Sequence, residues 1–167
     1  RVPVFAHLEG ICHIYIDKYA DLNKARTIVV NAKMRRTGIC GAVETLLVHQ
    51  DVAVDMLPAI AADLQKAGCQ LRGDRRAKAI VSDMQLANDG DWLTEYLDAI
   101  LSVRIVDSID MAIDHITSFG SGHTESIISE SDEAGEDFLN RVDSAIVMRN
   151  ASTQFADGGE FGMGAEI

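Results

Sequence analysis

His13-Ile14-Tyr15-Ile16-Asp17 is a short apolar run of strand length, and Glu44-Thr45-Leu46-Leu47-Val48-His49 is a second. Between them, residues 20–36 place Leu22, Ala25, Ile28, Val29 and Ala32 on one helical stripe, and Gly38 to Gly41 forms a turn. The alternation continues along the chain. A helix is predicted over 57–67, with Pro58 near its start or kinking it and Gly68 as its stop signal. Cys69-Gln70-Leu71-Arg72 reads as a short strand, and 73–97 is mixed and partly helical. Leu101 to Val106 is a strand, Ile109 to Phe119 a helix closed by Gly120, Thr124 to Ser129 a strand, 132–141 a helix and Ala145 to Met148 a last strand. Strands alternating with helices indicate an α/β fold, a Rossmann-like parallel sheet with helices on both faces. Right-handed crossovers align the strand carboxyl ends along one edge, where a ligand is expected. No repeat, low-complexity tract or linker interrupts 1–150, which reads as one domain; 151–167 reads as a departing C-terminal segment.

The chain has 167 residues, 47% of them hydrophobic, which suits a packed domain and excludes disorder. Its formal net charge of −11 argues against nucleic acid or an anionic membrane as the main partner. No apolar run approaches the roughly 20 residues of a spanning helix. Cys12, Cys40 and Cys69 are too few and odd in number for a disulfide framework, and point to a reducing compartment. Opening on Arg1-Val2-Pro3 and ending in a glycine-rich stretch, the chain reads as part of something longer. Charge is uneven: residues 1–40 carry a net +4 and the remainder −15. Either the cationic segment serves an anionic small molecule, or it is a solvated helix face.

Cys40 lies in Thr37-Gly38-Ile39-Cys40-Gly41-Ala42, between a helix end and a strand. Flanking glycines allow a tight turn and close approach to a ligand, and upstream Lys33, Arg35 and Arg36 favour a thiolate. A nucleophile is one reading; a small buried hydrophobe is the other. Cys12 and Cys69, in or beside apolar strands, read as packing residues. The five histidines show no metal-ligand spacing, and there is no Cys-x-x-Cys, so no zinc site is expected. His115 falls mid-helix and reads as a surface or boundary residue, whereas His123 enters a strand from a polar loop, a common place for a ligand contact. Gly158 to Gly164 is glycine-rich but lacks the strand-then-helix setting of a dinucleotide site.

Several stretches together resemble the gamma-glutamyl phosphate reductase (glutamate-5-semialdehyde dehydrogenase) family of the aldehyde dehydrogenase superfamily. They are His7-Leu8-Glu9-Gly10-Ile11-Cys12-His13, Val29-Val30-Asn31-Ala32-Lys33, Arg36 through Val48, Gly122-His123-Thr124-Glu125-Ser126-Ile127, and Asn150 through Gly162. The resemblance covers essentially the whole chain and implies an aldehyde dehydrogenase catalytic domain. The implied reaction is NADPH-dependent reduction of L-glutamyl 5-phosphate to L-glutamate 5-semialdehyde, with phosphate release, in proline biosynthesis. Cys40 would be the nucleophile that forms the thioester, and Glu95 in Thr94-Glu95-Tyr96-Leu97 the cofactor-binding residue. His123, Asn150, Ser152 and Thr153 fall in the matched stretches as substrate-binding candidates. The resemblance further implies a small-molecule substrate, glutamyl phosphate, a cytoplasmic location and a homo-oligomer in the complete protein.

One departure from the superfamily pattern is instructive. His7 occupies the position of the Glu that activates water in hydrolytic relatives, and a one-residue shift would bring Glu9 there instead. An acyl-phosphate reductase needs no water as acyl acceptor, so loss of that base suits the chemistry. The superfamily's cofactor domain and oxyanion-hole Asn lie upstream of this segment, so the chain alone is expected to be inactive. Two other readings stand beside this one: another thioester-forming aldehyde dehydrogenase, and an inactive α/β binding module.

Overall fold

The computed structural model describes residues 9–160 and Gly162. Seven strands form one sheet: β1 (Cys12–Ile16), β2 (Val43–His49), β3 (Gln70–Gly73), β4 (Gln85–Leu86), β5 (Ile100–Val106), β6 (Thr124–Ile128) and β7 (Ile146–Arg149). Five α-helices connect them: α1 (Leu22–Met34), α2 (Gln50–Lys66), α3 (Arg75–Ile80), α4 (Ile109–Phe119) and α5 (Asp132–Arg141). The spatial order is β4-β3-β5-β2-β1-β6-β7 and every adjacent pair is parallel. The expected doubly covered α/β sheet is therefore what the chain forms.

Burial explains the near-continuous apolar strands. Every residue of β1 and β2 is buried, as a central parallel strand covered on both faces requires. Side-chain alternation sends Ile14, Ile16, Leu46 and Val48 into the core beneath α1, α2 and α3. Tyr15 and Leu47 turn to the opposite face, where Ile113 and Ile116 of α4 and Phe138 of α5 cover them. Asp21, Ser108 and Ser131 each accept a backbone N–H in the first turn of α1, α4 and α5.

The helix expected over 57–67 begins at Gln50, seven residues earlier. His49 Nδ1 accepts from Asp51 N and caps the start. Pro58 sits inside the helix on its exposed side, where water can satisfy the carbonyl that loses its amide partner. The stretch 73–97 resolves into α3, the two-residue β4 and a 3-10 turn at Asp89–Leu93. The C-terminal segment stays packed beyond residue 150: Ser152, Thr153, Gln154 and Ala156 are buried, and Gln154 Nε2 donates to Ala32 O and Arg36 O at the end of α1.

Candidate active site

The thiol turn lies at the amino edge of the sheet. Cys40 immediately precedes β2, whose neighbours are β1 and β5. Glu95 lies in the connection entering β5, Gly10 and Cys12 at the entry to β1, and His123 directly before β6. The order β5-β2-β1-β6 thus lines up four entry segments side by side. The sequence reading expected a ligand at the edge formed by strand carboxyl ends, whereas Cys40, Glu95 and His123 sit on turns that feed the strands.

Contacts within this edge are specific. Gly10 N donates to Glu95 Oε1 at 2.9 Å, and Ile11 N donates to Ser121 Oγ at 2.9 Å. The Cys12 thiol donates to Cys40 O at 3.1 Å and lies 3.6 Å from His123 Nδ1, which is itself 2.8 Å from Thr124 Oγ1. Gly10 has a steric reason to be glycine: a Cβ there would collide with the Cys40 backbone, 2.7 Å from its Cα. A Cβ on Gly41 would meet Thr153 O at 3.2 Å, so the 152–154 segment closes the other side of the turn. Cys40 itself is half-buried, in a tight turn with Ala42 N bonded to Ile39 O.

Beneath these turns lies charge in the interior. His13 N and Nδ1 both meet Glu125 Oε2, at 2.7 and 3.0 Å, and both side chains are fully buried. Burial pushes the Glu125 carboxyl above its usual range, and His13 pulls it back. His115 packs edge-on to His13 with ring centroids 5.3 Å apart and accepts from Arg104 at 2.8 Å. Burial first, then His13 and Arg104, drives its pKa down to about 2, so it is a neutral core imidazole. Lys33 Nζ bonds Glu44 Oε2 at 2.6 Å with both side chains almost completely buried.

These positions sort the residues singled out in the sequence. Cys40, Glu95 and His123 converge on one edge, and the Thr153 backbone abuts Gly41. Ser152 Oγ is engaged in capping Gln154 N. Asn150 is elsewhere: its side chain accepts from Ser129 N and donates to Ser129 O, both at 3.0 Å, beyond the carboxyl end of β6. His7 lies outside the described residues, as do Phe161 and 163–164 of the glycine-rich stretch; Glu9 is exposed. Gly159 N bonds Asp157 Oδ1, so this part of that stretch closes on itself.

The cationic run upstream of Cys40 is largely spent, since Lys33 is buried on Glu44 and Arg35 pairs with Glu160 at 2.6 Å. Cys69 is buried with its pKa pushed up to about 11, by burial first, as a packing thiol would be. Cys12, read as an apolar packing residue, is fully buried as that reading requires; its thiol also donates to Cys40 O, and burial raises its pKa well above normal. Sequence reasoning missed Glu44 and Glu125 as well. The signal was available, because a carboxylate inside an otherwise buried strand requires a buried partner.

Among the described residues no group of three or more His, Cys, Asp or Glu side chains is placed to hold a metal ion, and no helix is long and apolar enough to cross a membrane.

No family model matches the chain. Curated proteins do: gamma-glutamyl phosphate reductase of Mesorhizobium japonicum is 60% identical over all 167 residues, which cover 39% of that protein. The crystal structure of gamma-glutamyl phosphate reductase from Thermotoga maritima superposes with a TM-score of 0.95 at 45% identity, over 99% of this chain and 40% of that one. An acetylating aldehyde dehydrogenase from Geobacillus thermoglucosidasius, 19% identical, shares the fold with a TM-score of 0.67 over 95% of this chain and 43% of its own. The chain is thus a homologue, over its whole length, of about two fifths of the gamma-glutamyl phosphate reductases.

Proposed function

We propose that this chain is the thiol-bearing segment of a gamma-glutamyl phosphate reductase, which reduces L-glutamyl 5-phosphate to L-glutamate 5-semialdehyde in proline biosynthesis. The observation that carries this reading is the 60% identity to a gamma-glutamyl phosphate reductase over all 167 residues, a span that includes the Cys40 edge. Cys40, as thiolate, attacks the acyl carbon of the substrate; the C–O bond to phosphate breaks and phosphate leaves with its electron pair. The product is a thioester on Cys40. A reduced nicotinamide, NADPH by the family resemblance, would be held in part by Glu95 and would supply hydride for reduction of this thioester to a thiohemiacetal. Collapse of the thiohemiacetal releases the aldehyde and regenerates the Cys40 thiolate.

The residues present suit that cofactor to a limited extent. Glu95 is half-exposed and has one carboxylate oxygen bonded to Gly10 N, which leaves the other for a ribose hydroxyl. The chain has no G-x-G-x-x-G turn between a strand and a helix for a pyrophosphate, so the remainder of that site falls to the rest of the complete protein. His123 stands beside the Cys12–Cys40 contact, with its Nδ1 3.6 Å from Cys12 Sγ, which supports it as a candidate substrate contact.

The decisive experiment is phosphate dependence in the complete enzyme. Supplied with glutamate semialdehyde and NADP, it is expected to oxidise the aldehyde rapidly only when phosphate is added. Brisk phosphate-independent oxidation would mean that water accepts the acyl group, and the acyl-phosphate reading would fall. A panel of other acyl phosphates and thioesters separates the glutamyl enzyme from other thioester-forming relatives.

A further inference from the structure

We propose that Gln154 is a positioning residue for Cys40, the tip of a brace that the C-terminal segment lays against the thiol turn. Its importance for turnover rests on the reading above, in which Cys40 is the nucleophile. α1 ends at Met34, six residues before Cys40, and the last four carbonyls of a helix have no amide partner further along it. Gln154 supplies one from outside. Its Nε2 donates to Ala32 O at 2.7 Å and to Arg36 O at 3.0 Å, so both amide protons act on the limb that leads into the turn. A glycine or a neighbouring side chain is enough to stop a helix locally. A donor drawn from 118 and 122 residues away does more, because it fixes that limb to a distant part of the chain. Gln154 is 2% exposed, and its Oε1 has no hydrogen-bond partner among the described residues. Burying an amide with an idle acceptor costs free energy, so the donors are the reason for its place.

The segment that carries Gln154 is itself tied to the sheet. Asn150, just past β7, has φ of 53°, a left-handed conformation that asparagine tolerates better than most side chains, and its side chain bonds both Ser129 N and Ser129 O. The chain turns there and runs back across the sheet. Ser126 Oγ, in β6, donates to Ala151 O at 2.8 Å, and Thr153 O lies 3.2 Å from where a Cβ on Gly41 would stand. The limb before Cys40 is held at further points: Arg35 lies over the Phe155 ring, 5.8 Å from its centroid, and pairs with Glu160 at 2.6 Å. Residues 153–160 therefore meet the chain on both sides of Cys40, at 32–36 before it and at Gly41 after it. These contacts are to the main chain or to Arg35. What they set is the path of the turn, and with it the direction from which the thiol meets an acyl carbon.

The test compares two variants of the complete enzyme. Gln154→Met keeps the side chain's length and removes both donors. Gln154→Arg keeps two donors in a planar fork at a helix C-terminus, where a cation is favoured, and gives up only the idle acceptor. Hydrogen exchange in the ligand-free protein reads residues 35–42, where Arg35 N bonds Asn31 O and Ala42 N bonds Ile39 O. Exchange there is expected to be at least about 10-fold faster in the Met variant and close to wild type in the Arg variant, with β1 and β2 unchanged in both. The kcat for reduction is expected to fall roughly 10-fold or more in the Met variant while KM for NADPH stays within about two-fold, and to recover in the Arg variant. Unaltered exchange at 35–42 in the Met variant, a kcat within about two-fold of wild type, or equal losses in the two variants would overturn the proposal. Gln154→Asn, which draws the same two donors back by one methylene, covers the case where the Met variant does not fold. Faster exchange at 35–42 with a lowered kcat in that variant supports the brace, and wild-type exchange overturns it. The exchange measurement needs no substrate, so a wild-type enzyme that fails to reduce glutamyl phosphate removes the reading above while exchange still decides the brace.

Discussion

The two edges of the sheet differ in kind. At the carboxyl edge, where doubly wound sheets usually bind ligands, a recess of about 510 Å³ is lined by Tyr15, Asp17, His49, Asp51, Asp107 and Glu133 among others. Some of its polar groups are engaged: Asp17 accepts from Tyr15 Oη at 3.3 Å and from Ser129 Oγ at 2.8 Å, and His49 caps α2. At the amino edge the backbone turns tightly around a half-buried thiol, with glycine packed against its main chain and a carboxylate, an imidazole and a second thiol around it. Topology offers the first edge as a cleft, whereas the proposed nucleophile, Cys40, is at the second. The fold-level rule and the proposed function therefore point to opposite edges.

The sharpest way to break this comparison is to remove a side chain from each edge. In the complete enzyme, Cys40→Ala is expected to lower reduction by roughly 10³-fold or more while shifting stability by no more than about 1 kcal/mol. Lys18→Ala, in the carboxyl-edge recess, is expected to leave turnover within about two-fold. Steady-state rates and thermal melts of both variants decide it, and the reverse pattern would place the chemistry at the wrong edge. Gly10→Ala tests whether the amino edge depends on backbone fit. Its Cβ must displace the Cys40 main chain, so a loss of roughly 10²-fold in kcat/KM is expected with the thiol intact and alkylatable.

A stability measurement sharpens the picture beneath that edge. Glu125→Ala leaves His13 buried without its carboxylate and is expected to cost about 3–5 kcal/mol in denaturant unfolding, far more than loss of an exposed pair such as Lys24–Glu130. A further effect is in pH. Burial first, opposed by Lys33 and the amides of Leu97 and Tyr96, raises Glu44 from 4.5 to about 7. Between those values the folded state holds a proton that the unfolded chain has released. Its contribution to stability is therefore expected to fall as pH rises from about 4.5 to about 7, and to level off above that. Glu44→Gln should flatten that part of the stability profile, and an unchanged slope would show that another group sets it.

Much of this molecule was legible as sequence. Buried parallel strands announce themselves as apolar runs, helices as stripes, and the end of α4 follows from Gly120 as stop. Cys40 stood out because two glycines and a helix end surround it, and the family resemblance rests on long local motifs. What the sequence left open involves contacts between residues far apart along the chain. The bonds from Cys12 to Cys40, Gly10 to Glu95 and His13 to Glu125 span 28, 85 and 112 residues, and each depends on which strands become neighbours. Local pattern determines that a segment is a strand, because side-chain alternation and burial are read within a few residues. Only the assembled order β5-β2-β1-β6 decides which entry turns share an edge, because sheet order is set by how all the crossovers pack together.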